Sequence, residues 1–247
     1  MVKGLNLFKE HFRQHSHRYV LIGGTAAALE MDAVGETFRA TRDLDIVLLV
    51  EARDALFGAI FWEFLEKGGY ERREVSERPQ FYRFSRPANT DYPAMLELFA
   101  RAPTEMVLDA GQRVVPIPLG EALASLSALL LDDDYYQVVM ETSRNVDGLS
   151  WMGTHGLIPL KAKAWLDLKA RRAQLPGSVD AKHIGKHFRD VLRLSQTLSP
   201  GDRVTVPRPV RRDLRLFIDK GRQENIDETF FGERLEAMLD RIGSIYV

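Results

Sequence analysis

Cysteine is absent from the 247 residues. That excludes disulfides, thiolate metal sites and a cysteine nucleophile, and it suits a reducing cytoplasm. Long apolar runs are also missing. The best candidate, residues 122–131, is too short to span a bilayer and carries Ser125 and Ser127. Residues 1–19 are polar and charged and lack the apolar core of a secretory signal. The chain is therefore expected in the cytoplasm, with no membrane partner. Neither charge sign dominates: 34 Lys and Arg face 35 Asp and Glu, a net charge of -1. A balance near zero does not advertise a nucleic-acid binder, but it leaves room for a local basic patch. No internal repeat or low-complexity segment is present.

What is present is an ordinary globular composition, 45% hydrophobic and 28% charged. The length suits one large domain or two small ones. Residues 5–17 read as a short amphipathic helix. Tyr19-Val20-Leu21-Ile22 is an apolar run that stops at Gly23-Gly24, as a buried strand entering a tight turn does. Thr25 then opens Ala26-Ala27-Ala28-Leu29, a strong helix former with Thr25 as its expected N-cap. Residues 43–50 read as a strand, 52–67 as a helix ending at Gly68-Gly69, and 81–84 and 95–99 as two further strands. Residues 114–118 form a short extended piece. Helix formers dominate from Gly120 onward, with helices expected over 157–172, 180–198 and 233–242. The Asp132-Asp133-Asp134 run reads as a loop or helix cap. The expected fold class is α+β: a small mixed-sheet domain over 1–120, then a helical domain over 121–247.

The chemistry concentrates at Asp43 and Asp45. Positions i and i+2 of a strand face the same way, so the two carboxylates stand side by side. They repel unless solvated or bridged by a cation. Mg2+ is the natural ion for clustered carboxylates that also hold phosphates, with Mn2+ as the alternative. An arbitrary Asp-x-Asp is most simply a turn cap and a solvated strand edge. Here the pair opens directly onto Ile46-Val47-Leu48-Leu49-Val50, where a charged pair must be solvated, neutralised or functional. The Gly23-Gly24-Thr25 turn could bring backbone N–H groups to a phosphate at the helix start. Glu97 stands as a lone acid within Met95-Leu96-Glu97-Leu98-Phe99 and needs a metal or a cation for the same reason.

Gly23-Gly24-Thr25 followed by Thr41-Arg42-Asp43-Leu44-Asp45-Ile46 resembles the signature of the DNA polymerase β-like nucleotidyltransferases. The Thr-Arg-Asp-Leu-Asp wording is most similar to the AbiEii/AbiGii toxin family, over roughly residues 19–195. The resemblance implies a Mg2+ site on Asp43, Asp45 and Glu97. It implies a triphosphate held by Gly23, Gly24 and Thr25, with Arg42 beside them. The reaction would transfer a nucleotidyl group from an NTP to an acceptor hydroxyl. The implied acceptor is RNA, tRNA included, and the implied partner is an antitoxin protein. Transfer to a small molecule, or nucleotide binding without turnover, are the alternative readings.

Residues 161–193 hold nine Lys or Arg against three Asp, a local excess of six positive charges. Such a run is most simply a solvated helix face, and otherwise an anion-binding surface. The resemblance implies phosphate contact by a Lys in a Lys-x-x-Ala pattern, matched by Lys161 and Ala164 with Lys163 as the alternative, and a catalytic part for Lys161. It also implies an acid directly after Lys182, where this chain has His183. Asp180 stands one turn away as the substitute. Asp190 is expected in a helix-surface ion pair with Lys186. The helical domain is expected to complete the cleft around the site.

Overall fold

The structure is a computed structural model that describes residues 2–49, 55–71, 81–100, 132–177 and 179–247. The elements expected over 114–118 and around 121–124 lie outside these residues. The chain divides into two compact units, Met1–Leu119 with Ser143–Met152, and Gly120–Thr142 with Gly153–Val247. The described architecture is mixed α and β. No described helix is long and apolar enough to cross a membrane.

The first unit contains α1 (Leu5–Phe12), a 3-10 turn (Arg13–Arg18), β1 (Tyr19–Ile22), α2 (Gly23–Ala33) and β2 (Asp43–Leu48). It continues with α3 (Ala55–Gly68), β3 (Phe81–Ser85), β4 (Met95–Ala100), β5 (Ser143–Val146) and β6 (Leu149–Met152). The six strands form one mixed sheet in the order β3-β4-β2-β1-β6-β5. β1 pairs antiparallel with β2, and β2 pairs parallel with β4. β3 closes one edge antiparallel to β4, and the β5–β6 hairpin extends the other edge from β1.

Strand alternation gives this sheet two unlike faces. Tyr19, Leu21, Leu44, Ile46, Leu96, Leu98 and Phe84 share one face through the strand registers and are buried. Phe8 and Phe12 of α1 and Phe61 and Phe64 of α3 pack there. Phe8 meets Tyr19 edge-on at 5.2 Å between centroids, and Phe61 meets Phe84 at 6.0 Å. Rings of this size bury large apolar area, and their pairing adds roughly 0.5–1.5 kcal/mol per contact. The opposite face carries Asp43, Asp45, Glu97 and Arg83. That second face also buries Val20, Ile22, Val47 and Phe99, so the charged residues cluster at one end of an otherwise apolar surface.

The second unit contains α4 (Asp133–Thr142), α5 (Thr154–Gln174), α6 (Ala181–Ser195), α7 (Arg208–Gly221), α8 (Glu228–Phe231) and α9 (Leu235–Ile245). Trp165 of α5, Phe188 of α6 and Phe217 of α7 form its aromatic centre. Trp165 and Phe188 stack at 5.1 Å, and Phe217 meets them at 5.1 and 5.4 Å.

α5 runs through Pro159, which has no N–H to give to His155 four residues earlier. The Tyr246 hydroxyl supplies that bond, donating to the His155 carbonyl at 2.9 Å. The helix therefore passes its proline without orphaning a carbonyl. The C-terminal residues are held in place by backbone bonds between Val204 and Val247 (3.0 Å) and between Val204 and Ile245 (2.9 Å).

Several sequence expectations differ from this structure. Helix α1 ends at Phe12, and 3-10 geometry carries the chain to Arg18. Thr25 does not cap α2: the helix begins at Gly23, and Thr25 lies in its first turn. The helix-cap reading of the aspartate run holds for Asp132, which accepts the Asp134 amide at 2.9 Å, while Asp133 and Asp134 belong to α4 itself. Neither helix α7 nor the β5–β6 hairpin is expected from the sequence. The hairpin strands have only four residues each, and β5 is largely exposed, so neither shows clear alternation.

Candidate functional site

β2 and β4 are parallel neighbours in which Asp43 pairs with Met95 and Asp45 with Glu97. Asp45 and Glu97 therefore stand directly opposite each other. β3 extends the same row, because Arg83 pairs with Glu97. The resulting line runs Ile22, Asp45, Glu97, Arg83 across four strands. Asp43 lies two positions away on the same face, where the next row is Asp43, Met95, Ser85.

Glu97 is buried, and its carboxylate accepts a 2.7 Å bond from the Arg83 Nε–H. Burial pushes its pKa up to about 8, and the neighbouring Asp45 charge and hydrogen bond push the same way. The Arg83 guanidinium opposes them without winning. Burial and the facing Asp45 carboxylate thus both favour the protonated form of Glu97. Arg83 was missed at the sequence level. Its signal was a lone cation within Phe81-Tyr82-Arg83-Phe84, matching the lone acid in the β4 sequence.

The glycine turn lies against this pair. Gly23 has φ +68, and a β-carbon there would collide with the Asp45 carboxylate. A β-carbon on Gly24 would press on the Thr41 hydroxyl at 2.8 Å. Thr25 is fully buried and donates its hydroxyl to the Asp43 carbonyl at 2.8 Å. The turn is thereby tied to the start of β2. Ile22 stands at the N-cap of α2 and its side chain makes no capping bond, so the Asp45 carboxylate is the acid nearest the start of this helix. Arg42 is exposed beside Asp43.

The remaining expected residues belong to the second unit. Lys161 is buried and gives its ammonium to Asp190 at 2.8 Å. Their side chains are only 6% and 4% exposed. Asp190 is thus a buried partner of Lys161 rather than a helix-surface residue, and Lys161 meets a carboxylate where phosphate was expected. Asp180 caps α6, accepting the Lys182 amide at 2.8 Å, and both Asp180 and Lys182 are exposed.

The donor set at the first-unit site is all oxygen, which suits a hard divalent cation. Asp45 and Glu97 stand directly opposite each other in the β2–β4 register, so a cation between them would meet oxygens of both. Among the described residues, no group of three or more His, Asp or Glu is gathered so that it could hold a metal ion. The adjacent pair fits part of a metal site, and Asp43 shares its face. No family model matches this chain, and comparisons with curated proteins and with solved structures also find no match.

Proposed function

We infer that the first unit is a nucleotidyltransferase that joins an NTP to an acceptor hydroxyl. One observation carries the reading: Asp45 faces Glu97 across parallel strands, with the Gly23 backbone pressed against the Asp45 carboxylate. A carboxyl pair and a glycine turn opening a helix is the arrangement that phosphoryl chemistry requires. Asp43, Asp45 and Glu97 would hold Mg2+ or Mn2+. The ion's contribution when bound is to neutralise the phosphate and carboxylate charges.

The chain's own residues account for the rest. The amides at the start of α2 bind the triphosphate, and Gly23 and Gly24 let it approach the backbone. Arg42 adds positive charge beside Asp43. The acceptor hydroxyl attacks the α-phosphorus, and its proton passes to the Asp45 carboxylate. The bond from the α-phosphorus to the bridging oxygen breaks, and pyrophosphate leaves with those electrons. Catalysis is then positioning and charge neutralisation. The sequence resemblance further supports an RNA acceptor, with the chain as the toxin half of a toxin–antitoxin pair.

A second reading, nucleotide binding without turnover, is favoured by Arg83, whose Nε–H already occupies a Glu97 oxygen that a metal would need. One experiment separates the two. Each labelled NTP is incubated with Mg2+, total RNA and either wild-type protein or the Asp43→Ala, Asp45→Ala double variant. Label transferred by wild type alone supports the enzyme. Nucleotide bound but no label transferred, with all four bases, supports the binding module.

A further inference from the structure

A cavity of about 850 Å³ opens beside Asp43 in the first unit. Four cationic residues line it, Lys3, Arg42, Arg83 and Arg86, and among the described residues Asp43 is the one acid in its wall. Ser85, Thr90 and Tyr92 add hydroxyl groups. The strand registers explain this composition. The Asp43, Met95, Ser85 row crosses the site at the cavity, and Arg83 follows in the next row. Arg86 comes directly after β3 and is held at φ +52, a conformation that residues other than glycine seldom adopt. Its amide donates to the Ala94 carbonyl at 3.3 Å, and its guanidinium reaches Glu71 at 3.5 Å. Lys3 arrives from the segment before α1, where Gly4 lies tightly on Pro93. Tyr70 fixes that same point, donating its hydroxyl to the Pro93 carbonyl at 2.7 Å.

The position relative to the glycine turn decides what such a cavity could take. The turn leaves the end of β1, which borders β2 on one side. The cavity lies with β3 and β4, which border β2 on the other side. Gly23, Gly24 and Thr25 do not line it. The acidic pair thus stands between two anion-favouring places. A reaction that joins two substrates at one centre needs two approaches. The turn suits a triphosphate, and the second approach is broad, basic and lined with hydroxyls.

We propose that this cavity seats the phosphodiester backbone of single-stranded RNA through Lys3 and Arg86. Its role as the acceptor seat rests on the nucleotidyl-transfer reading, whereas the binding itself does not. Lys3 and Arg86 are exposed, so neutralising them leaves the core intact.

The test uses the full chain and a labelled single-stranded RNA 12-mer of mixed sequence, with binding read by fluorescence anisotropy over a salt series. A fluorescent ATP analogue is measured in parallel. Lys3→Ala with Arg86→Ala should weaken RNA binding at least tenfold at low salt. The salt slope should fall by about 1.4, at about 0.7 for each phosphate no longer neutralised. ATP-analogue binding should be unchanged, and Lys3→Arg with Arg86→Lys should keep the RNA affinity. Failure of wild type to bind the RNA overturns the proposal. So does an unchanged slope in the alanine variant, or an equal loss of ATP analogue, which would assign the cavity to the triphosphate. RNA bound through these residues without label transfer would sink the enzyme reading and leave the cavity assignment standing. Undiminished label transfer to RNA by the alanine variant would do the reverse.

Discussion

Gly23 lies so close to Asp45 that a β-carbon on the glycine would enter the aspartate's carboxylate. The contact and the φ of +68 are separate demands, and both exclude a larger residue. They link the turn to the acid mechanically: whatever moves one moves the other.

Gly23→Ala should therefore do two kinds of damage. The left-handed backbone costs about 1–2 kcal/mol for any L residue, and the displaced Asp45 carboxylate should remove NTP binding or transfer. Gly35 is an internal control, with φ +76 and open space around its β-position. Gly35→Ala should show a similar backbone cost with function intact. Denaturant melts and NTP binding on both variants check this. Equal functional loss in the two would separate Asp45 from the turn.

Glu97 sets a pH dependence. Its pKa stands at about 8 in the folded protein against 4.5 ordinarily, chiefly through burial. The folded chain thus holds a proton that the unfolded chain has released between those values. Stability is then greatest below pH 4.5 for this group and falls as pH rises towards 8. The loss is on the order of 1.4 kcal/mol for each pH unit between the two values, as an upper bound. Glu97→Gln keeps the shape without the charge, so its stability relative to wild type should improve from about pH 5.5 to about pH 8.5. Mg2+ should stabilise wild type more at the higher pH than at the lower, because it competes with the proton. Urea melts at both pH values, with and without Mg2+, measure both effects. A wild type whose relative stability is flat across this range contradicts the assignment.

Lys161 and Asp190 are buried partners, and removal of one leaves the other charge stranded. Lys161→Met alone should cost about 3–5 kcal/mol. Lys161→Met with Asp190→Leu should recover most of that loss, since no charge remains buried. Equilibrium unfolding of the wild type, two single variants and the double variant closes the cycle. An additive double variant would mean that the pair is not coupled.

Tyr246→Phe removes the donor to the His155 carbonyl and should cost about 1 kcal/mol. Pro159→Ala restores the helical N–H that the proline lacks. In that background the Tyr246→Phe penalty should shrink towards zero. Thermal melts of the four proteins decide it, and an unchanged penalty would show that the hydroxyl serves something else.

Part of the site is legible along the chain because its rules are local. Alternation along a strand puts Asp43 and Asp45 on one face whatever pairs beside them. A glycine pair ending an apolar run marks the turn, and α2 does begin there. A lone acid in an apolar strand marks Glu97 as needing a partner. The identity of that partner is another matter. Arg83 and Glu97 are fourteen residues apart, and Lys161 and Asp190 are twenty-nine apart. Local periodicity carries no information about either distance in space.

Residue type and spacing alone determined that this chain would present two carboxylates on one strand face and a glycine turn at the end of another strand; the β1–β2 pairing brought the two together. The β2–β4 register decided that Glu97 meets Asp45, and the β3–β4 register decided that Arg83 meets Glu97, both fixed by which side chains the sheet must bury. A slip of one residue would keep every local rule and turn Glu97 to the opposite face of the sheet. The same kind of non-local pairing brought the short β5–β6 hairpin to the sheet edge and buried Lys161 against Asp190. Strand pairing and helix packing join residues that sequence separates, and only the folded chain brings their side chains within bonding distance.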